Sequence, residues 1–467
     1  MTNNSKTIES KKKKNNTAKG FGISKDQLEK IRDNIRSENI EFLKNNVLNL
    51  HHADIADIFE ILSEEDRKLL AVCLENSLPA EVLASIDEQV LSEILDNYKP
   101  GILGDLIGKL DTDEAVYVIE NIDIDRREAL IKQIPSAERK LIRQALEFPE
   151  MSAGRLMQRD YVAVPKYWNV GQVIDYLRGS VKVPDQFYSI FIVDPKHVPV
   201  GTVPLHRIMR NKRNIVLTDI MIDDPVVVKV NTDQEDIAYL FEKYDLTSAP
   251  VVNARNRLIG MITVDDVVEV IQEEAEEDML KLAGVSGDTD LYMAAWKTAR
   301  SRFSWLFINL LTAILASISI GFFEGTIKQI VALAVLMPIV ASMGGNAGTQ
   351  TLTVAVRAIA TRELNPSNSL RVFGKEILVG LINGIVFAVI VGLVAALWFG
   401  EHGLGIVIAL AMMFNLLVAG FFGASIPIML QKLKVDPALG ASILLTTVTD
   451  VVGFFVFLGL AQLMLVN

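Results

Sequence analysis

The chain has 467 residues, 46 basic and 57 acidic, for a formal net charge of −11, and half of its residues are hydrophobic. The average conceals two regions: from residue 291 on, six acids face ten bases, whereas residues 21–290 sit near −20. This excludes a single soluble globule, a wholly disordered chain and a basic nucleic-acid binder.

In chain order, residues 1–20 are rich in Lys and Asn, lack hydrophobic periodicity and read as a disordered tail. Residues 21–150 read as an all-α, superhelical acidic domain. Ile55, Ile58, Phe59 and Leu62 form one apolar stripe, and Ile102, Leu103, Leu106, Ile107 and Leu110 form another. Ser63-Glu-Glu-Asp66 and Asp111-Thr-Asp-Glu114 have the pattern of helix starts. Cys73 stands alone, so no internal disulfide is possible, and five scattered histidines make no zinc or haem set. A metal here would be a hard cation on oxygen ligands.

Residues 151–272 contain an internal repeat. Leu156-Met157-x-x-Asp160-x-Val162-x-Val164 returns 64 residues later as Ile220-Met221-x-x-Asp224-x-Val226-x-Val228. Phe191-Ile-Val-Asp194 through Gly201 returns 59 residues later as Pro250-Val-Val-Asn253 through Gly260. Each copy reads strand, helix, strand, turn, strand, helix. The tandem resembles a CBS-domain pair, a regulatory α/β module that often binds adenine nucleotides. Gly260, Thr263 and Asp266 are similar to the Gly-x-x-Thr-x-x-Asp ribose-phosphate signature of such modules, which implies ATP as a candidate ligand. The first copy has Gly201-Thr-Val-Pro204-Leu-His-Arg207 and departs from it.

A connecting helix is expected over residues 273–300, fed by a run in which Asp265, Asp266, Glu269, Glu273, Glu274, Glu276, Glu277 and Asp278 crowd together. Like charges at i,i+3 and i,i+4 oppose a helix, so the run asks for cations or solvent. Beyond it, Phe303–Phe323, Gln329–Val356, Ile377–Gly400, Gly403–Leu430 and Pro437–Asn467 are each long enough to cross a hydrocarbon core, predicting a five-helix membrane domain over 301–467. Lys297, Arg300, Arg302, Arg357, Arg362, Arg371, Lys375, Lys432 and Lys434 occupy loops on one side, against Lys328 on the other. The positive-inside rule puts the N-terminal region in the cytoplasm and the C-terminus outside.

Span two contains Pro338 and Gly344-Gly345 beside Asn346, Thr349 and Gln350, which predicts a broken helix lining a cavity. Asp450 reads as the only acid inside any span. With no base in the spans to pair with, it points to a cation pathway.

Acidic helical domain, CBS pair, acidic connecting helix and five spans, in that order, resemble the MgtE family of magnesium channels. Pro338-x5-Gly344-Gly-Asn-x-Gly-x-Gln350 and Asp436-Pro437-Ala438 are similar to that family's motifs. The resemblance implies a non-enzymatic membrane homodimer passing Mg2+ passively through a pore between two membrane domains. It implies that Asp450 is the pore carboxylate, with Asn346 and the backbone carbonyl of Thr446 lining the same hydrated ion site. It further implies that Glu235, Asp245, Asp266, Glu269, Glu274, Glu277, Asp278 and Asp436 hold regulatory Mg2+, joined by Glu81 and Asp113 in the helical domain. Tyr117 departs from that pattern, standing where the family can carry an acid. Transport of Mn2+, Co2+ or Ca2+ remains an alternative, since oxygen ligands alone do not discriminate them. So does cation-coupled secondary transport; no phosphate-binding loop supports direct ATP drive. A membrane-tethered CBS sensor is the alternative of a different class.

Overall fold

A computed structural model gives the fold; the residues described are 23–179, 183–184, 186–285, 295–364 and 368–466. The expected tail at 1–20 and residues 286–294 of the connecting segment lie outside them. The chain divides into two compact units, up to Ile271 and from Gln272 onward.

In the first unit, helices from Lys25–Arg36 to Ser136–Leu146 surround one apolar core. Both predicted starts are caps. The Ser63 hydroxyl accepts from the Asp66 backbone N–H, and Asp111 and Glu114 form a reciprocal capping box. These side chains satisfy backbone donors that a helix N-terminus leaves open. The apolar stripes fill the core, with Ile55, Ile58, Phe59 and Ile107 fully inaccessible. Arg67 is buried among them because its guanidinium donates to the Phe59 and Leu62 carbonyls, at 2.9 and 3.1 Å, at the end of helix His52–Ile61.

The repeat appears as two matching sheets. β1 (Ala163–Pro165), β2 (Ser189–Val193), β3 (Pro199–Pro204) and β4 (Ile222–Asp223) make the first, in that order. β5 (Val228–Lys229), β6 (Ser248–Val252) and β7 (Leu258–Thr263) make the second. In each, a parallel first pair encloses a helix, Val170–Gly179 or Gln234–Tyr244, and an antiparallel pair follows. Phe191 faces Thr202 as Pro250 faces Met261, and both antiparallel ladders slip at the same place, Ile192/Val193 and Val251/Val252. The segment before each copy pairs with the other copy, Ser152 with Asp233 and Val216 with Asn169. Phe191 and Val193 share a small core with Leu258 and Met261. The two copies therefore form one pair.

The acidic helix spans Val264–Leu282; Gly284 follows with φ +72°, a left-handed conformation suited to glycine. The next described helix begins at Ala295. The membrane unit contains five helices long and apolar enough to span: Ala295–Gly321, Ala332–Ala360, Ser369–Phe399, His402–Lys432 and Ala441–Ala461, the last continuing as a short π turn to Val466. The fourth is the centre of the bundle: 61% of its most apolar stretch is buried, against 11% for the first. Third and fourth helices meet backbone to backbone. A Cβ on Gly380 would lie 2.8 Å from the Leu416 carbonyl oxygen, and one on Gly420 2.9 Å from that of Glu376. Small residues permit this approach where no hydrophobic drive separates helix from lipid.

Two expectations are corrected here. Span two is not broken: Ala332–Ala360 is one helix with Pro338 inside it. Pro338 removes a single N–H close to the helix start, and the fourth helix supports the next turn, where Asn415 Nδ2 donates to the Val340 carbonyl at 2.9 Å. Nor is Asp450 the only acid within a span. The third helix starts at Ser369, so Glu376 lies in its second turn and is 7% exposed.

Candidate membrane pathway and acidic sites

In the fifth helix, Thr446, Thr447 and Thr449 turn their hydroxyls back onto the Ser442, Ile443 and Leu445 carbonyls at 2.7 to 3.1 Å. Thr449 is fully buried and also donates to the Thr446 carbonyl at 3.1 Å, the group expected to line the ion site. Such back-bonding satisfies the hydroxyl donors within the helix itself. One turn on, Asp450 is half-buried, and among the described residues its carboxylate has no hydrogen-bond or ion-pair partner. On the second helix, Asn346 is exposed with Nδ2 3.4 Å from Ser342 Oγ. Ser342, Asn346 and Gln350 recur every fourth residue and so share one exposed polar stripe.

Asn415 ties these helices together, and the sequence reading missed it. It is inaccessible; its amide N–H holds Val340, and its Oδ1 is buried without a partner among the described residues. Gly344 on the second helix and Gly453 on the fifth both press on it. A Cβ at those positions would come within 2.2 and 2.8 Å of Nδ2. Gly344 is thus a contact point and not a helix breaker, whereas Gly345 faces open space. The available signal was an Asn within an otherwise apolar span four.

In the first unit, several carboxylates act on one another. Asp113 lies in the first turn of helix Thr112–Glu120 with Oδ1 buried and unpartnered among the described residues. Burial pushes its carboxyl well above the usual range, and the charges of Asp266 and Asp111 add to this. Glu114 is pushed up to about 7, by burial first and then by Asp111, Glu81 and Asp266. Asp266 rises to about 6 through burial, with Asp265 and Glu269 adding, even though the Thr263 hydroxyl donates to it at 2.7 Å. Glu269 is raised by burial and Asp265. The structure thus brings Glu81, Asp113, Asp266 and Glu269 into one repulsive field. Among the described residues, however, no three His, Cys, Asp or Glu side chains converge as a ready cage for a metal ion. Oxygen donors in surplus over cations suit Mg2+, which keeps most of its waters and needs few direct ligands. Glu235 and Asp245 are exposed at opposite ends of helix Gln234–Tyr244, Asp245 in a left-handed cap with φ 51°.

In the membrane unit, Lys281 Nζ bonds Glu277 at 2.6 Å and Asp436 at 2.7 Å. Burial alone would lower the lysine's pKa, but these two carboxylates hold it above its ordinary value. Asp278 is raised by burial and by Asp436, with Glu274 adding. Glu274, Glu277, Asp278 and Asp436 therefore form a second group, with an ammonium at its centre.

The nucleotide signature is occupied from within. A Cβ on Gly260 would lie 2.7 Å from the Gln158 carbonyl oxygen, so this glycine serves strand contact. Thr263 is buried and bonded to Asp266, which also receives Gln158 Nε2 at 3.2 Å.

A family model described as a divalent cation transporter, MgtE, matches residues 337–460. The model of the MgtE intracellular N domain matches 50–151, and a CBS-domain model matches 217–273, the second copy. The magnesium transporter MgtE of Thermus thermophilus is 31% identical over 422 residues, covering 89% of this chain and 93% of that protein. The chain belongs to the MgtE family. The magnesium transporter MgtE of Bacillus subtilis is 28% identical over 91% of this chain and 95% of that protein. A solved cytosolic domain of the Mg2+ channel MgtE in complex with ATP is 26% identical, with a TM-score of 0.49 over 52% of this chain and 99% of that one. MgtE membership agrees with the order of helical domain, CBS pair and five apolar helices.

Proposed function

We propose that this MgtE-family protein carries Mg2+ passively across a membrane as a homodimer, with the first unit cytoplasmic and the C-terminus outside. The observation that carries this reading is Asp450, a half-buried carboxylate in an apolar helix with no partner among the described residues. A lone acid at that depth is costly unless a mobile cation or water compensates it. Asn346 and the Thr446 carbonyl contribute neutral oxygens. One carboxylate with neutral dipoles binds a hydrated divalent ion weakly enough for release. The naming of full-length relatives as magnesium transporters supports Mg2+ over Mn2+, Co2+ or Ca2+.

The proposed regulation rests on the crowding of acids. At high cytosolic Mg2+, ions neutralise Glu81, Asp113, Asp266 and Glu269, and Glu274, Glu277, Asp278 and Asp436, with Glu235 and Asp245 at the periphery; the compact arrangement closes the pathway. At low Mg2+ the acids repel and the arrangement opens. This requires tighter Mg2+ binding to the compact state than to the open one. ATP at Thr263 and Asp266 would have to displace the Gln158 contact, so nucleotide is the smaller part of the proposal. The test is Mg2+ flux into liposomes containing the full chain, with Mg2+ varied on one face. Flux that falls as Mg2+ rises on the basic-loop face supports the reading, and unchanged flux after Asp266, Glu274 and Asp278 are jointly neutralised would reject the gating scheme.

A further inference from the structure

We propose that the cavity around Glu376 is a second cation site within each membrane unit, one that takes a divalent ion with most of its waters retained; the identity of that ion as Mg2+ rests on the transport reading above. The third helix buries Glu376 to 7% exposure against the second and fourth helices. A cavity of about 210 Å3 opens beside it, with Gln350, Thr351 and Asn383 among its walls. A single water needs about 10–15 Å3 of such space, so an ion and several waters fit.

The carboxylate is poorly compensated by its surroundings. Thr351 Oγ1 lies 3.5 Å away, the outer limit of a hydrogen bond. The Lys375 ammonium stands 4.0 Å from Oε1, but that side chain is 72% exposed, and exposed pairs contribute little. A buried carboxylate in this state is costly. The remaining polar walls are amide and hydroxyl groups, whose oxygens with one carboxylate form a hard donor set of low charge. That set does not strip water from a divalent ion; it holds the ion through its waters and lets it leave. Gln350 joins this cavity to the pathway, since it stands one helical turn from Asn346 on the same stripe. The cavity therefore acts as a staging point for ions in transit, separate from Asp450.

The test places a thiol in the cavity wall of the full chain. Cys73→Ser removes the native cysteine, and Val379→Cys introduces a reporter at an apolar lining position. The rate of modification by a membrane-impermeant cationic methanethiosulfonate is measured in vesicles, with MgCl2 or choline chloride at equal ionic strength. With Glu376 present, Mg2+ slows modification about ten-fold, the expected value of one charge-assisted contact. Glu376→Gln abolishes the protection, and Glu376→Asp, which keeps the charge, retains it. Three results overturn the proposal: no modification at all, which marks a lipid-filled groove; modification that Mg2+ does not slow, which marks a cavity that holds no cation; and equal protection in Glu376→Gln, which marks an effect of gating. Wild-type flux without this protection rejects the cavity site alone. Protection in a chain that passes no Mg2+ rejects the transport reading and leaves the cavity as a cation site.

Discussion

In the first unit Asp113, Glu114, Asp266 and Glu269 hold protons more tightly than usual because they are buried and face other acids, Asp111 and Asp265 among them, whereas in the membrane unit Asp450 and Glu376 are each the lone acid of a helix. The same functional group thus works by two different physical effects. Crowded carboxylates repel, so their arrangement responds to any cation that neutralises them. A solitary carboxylate in a low-dielectric helix bundle has no repulsion to relieve; it lacks solvation, which on the proposed reading an ion with its water would supply. On the same reading, sensing calls for many charges and transport for few.

The sharpest way to break this comparison is at Asp450. Asp450→Asn keeps the shape and removes the charge, and flux should fall about a hundred-fold if that carboxylate stabilises the passing ion by about 3 kcal/mol. Mg2+ protection of the first unit from proteolysis should be unchanged in the same variant. Loss of both together would mean that the two groups of acids do not work separately.

Next in size is the contact that sets the helices around the proposed pathway. Gly344→Ala forces a methyl group to within 2.2 Å of Asn415 Nδ2 and should destabilise the membrane unit by about 1–3 kcal/mol. Thermal unfolding in detergent would read this as a lowered midpoint, while Gly345→Ala, which faces open space, should leave it nearly unchanged.

The crowded acids can be probed by pH. Glu114 lies at about 7 and Asp266 at about 6 in the folded chain, both above their ordinary values of 4.5 and 3.8. The folded unit therefore binds protons that the opened chain does not, and stability falls as pH rises through this window, from about 4 to about 7. Without Mg2+, the first unit of the full chain should resist proteolysis better at pH 5.5 than at pH 8, because protons would do the work proposed for the cation. Added Mg2+ should have its largest effect at pH 8. Asp113→Asn with Asp266→Asn should flatten both dependences, shifting half-protection about ten-fold in Mg2+.

The smallest effect is expected at Lys281. Lys281→Gln removes the ammonium shared by Glu277 and Asp436 and should raise apparent Mg2+ affinity at that group only a few-fold, since the pair is partly solvated. Titration of protease resistance in the full chain would detect it.

Much of this fold was legible in the residues because its signals are local. Ser63 and Asp111 announce their helices, and the repeated Phe191 and Pro250 segments pair as the repeat requires. The spans were legible from charge alone. Where the reading failed at span two, the deciding fact was a contact distant in sequence. Pro338 and Gly344 look like breakers until Asn415, some seventy residues on, is seen supporting the same turn. Glu376 was placed outside its span because charge marks the edge of an apolar stretch but not the end of a helix. The gathering of Asp113 with Asp266 joins two domains of the first unit, and no spacing rule reaches that far.

The order of the helices along the chain bears on how Asn415 enters a membrane at all. During synthesis an amide in an apolar segment would meet lipid with its hydrogen-bonding groups unsatisfied. Its acceptor, the Val340 carbonyl, belongs to the second helix and is made first. With insertion in chain order, the fourth helix would meet a docking point already present, and the fifth, which closes on Asn415 through Gly453, would arrive last. Exchanging the positions of spans in an engineered variant would leave the finished contacts unchanged while removing that sequence of arrival, which makes biogenesis, and not final stability, the property on which Asn415 imposes a direction.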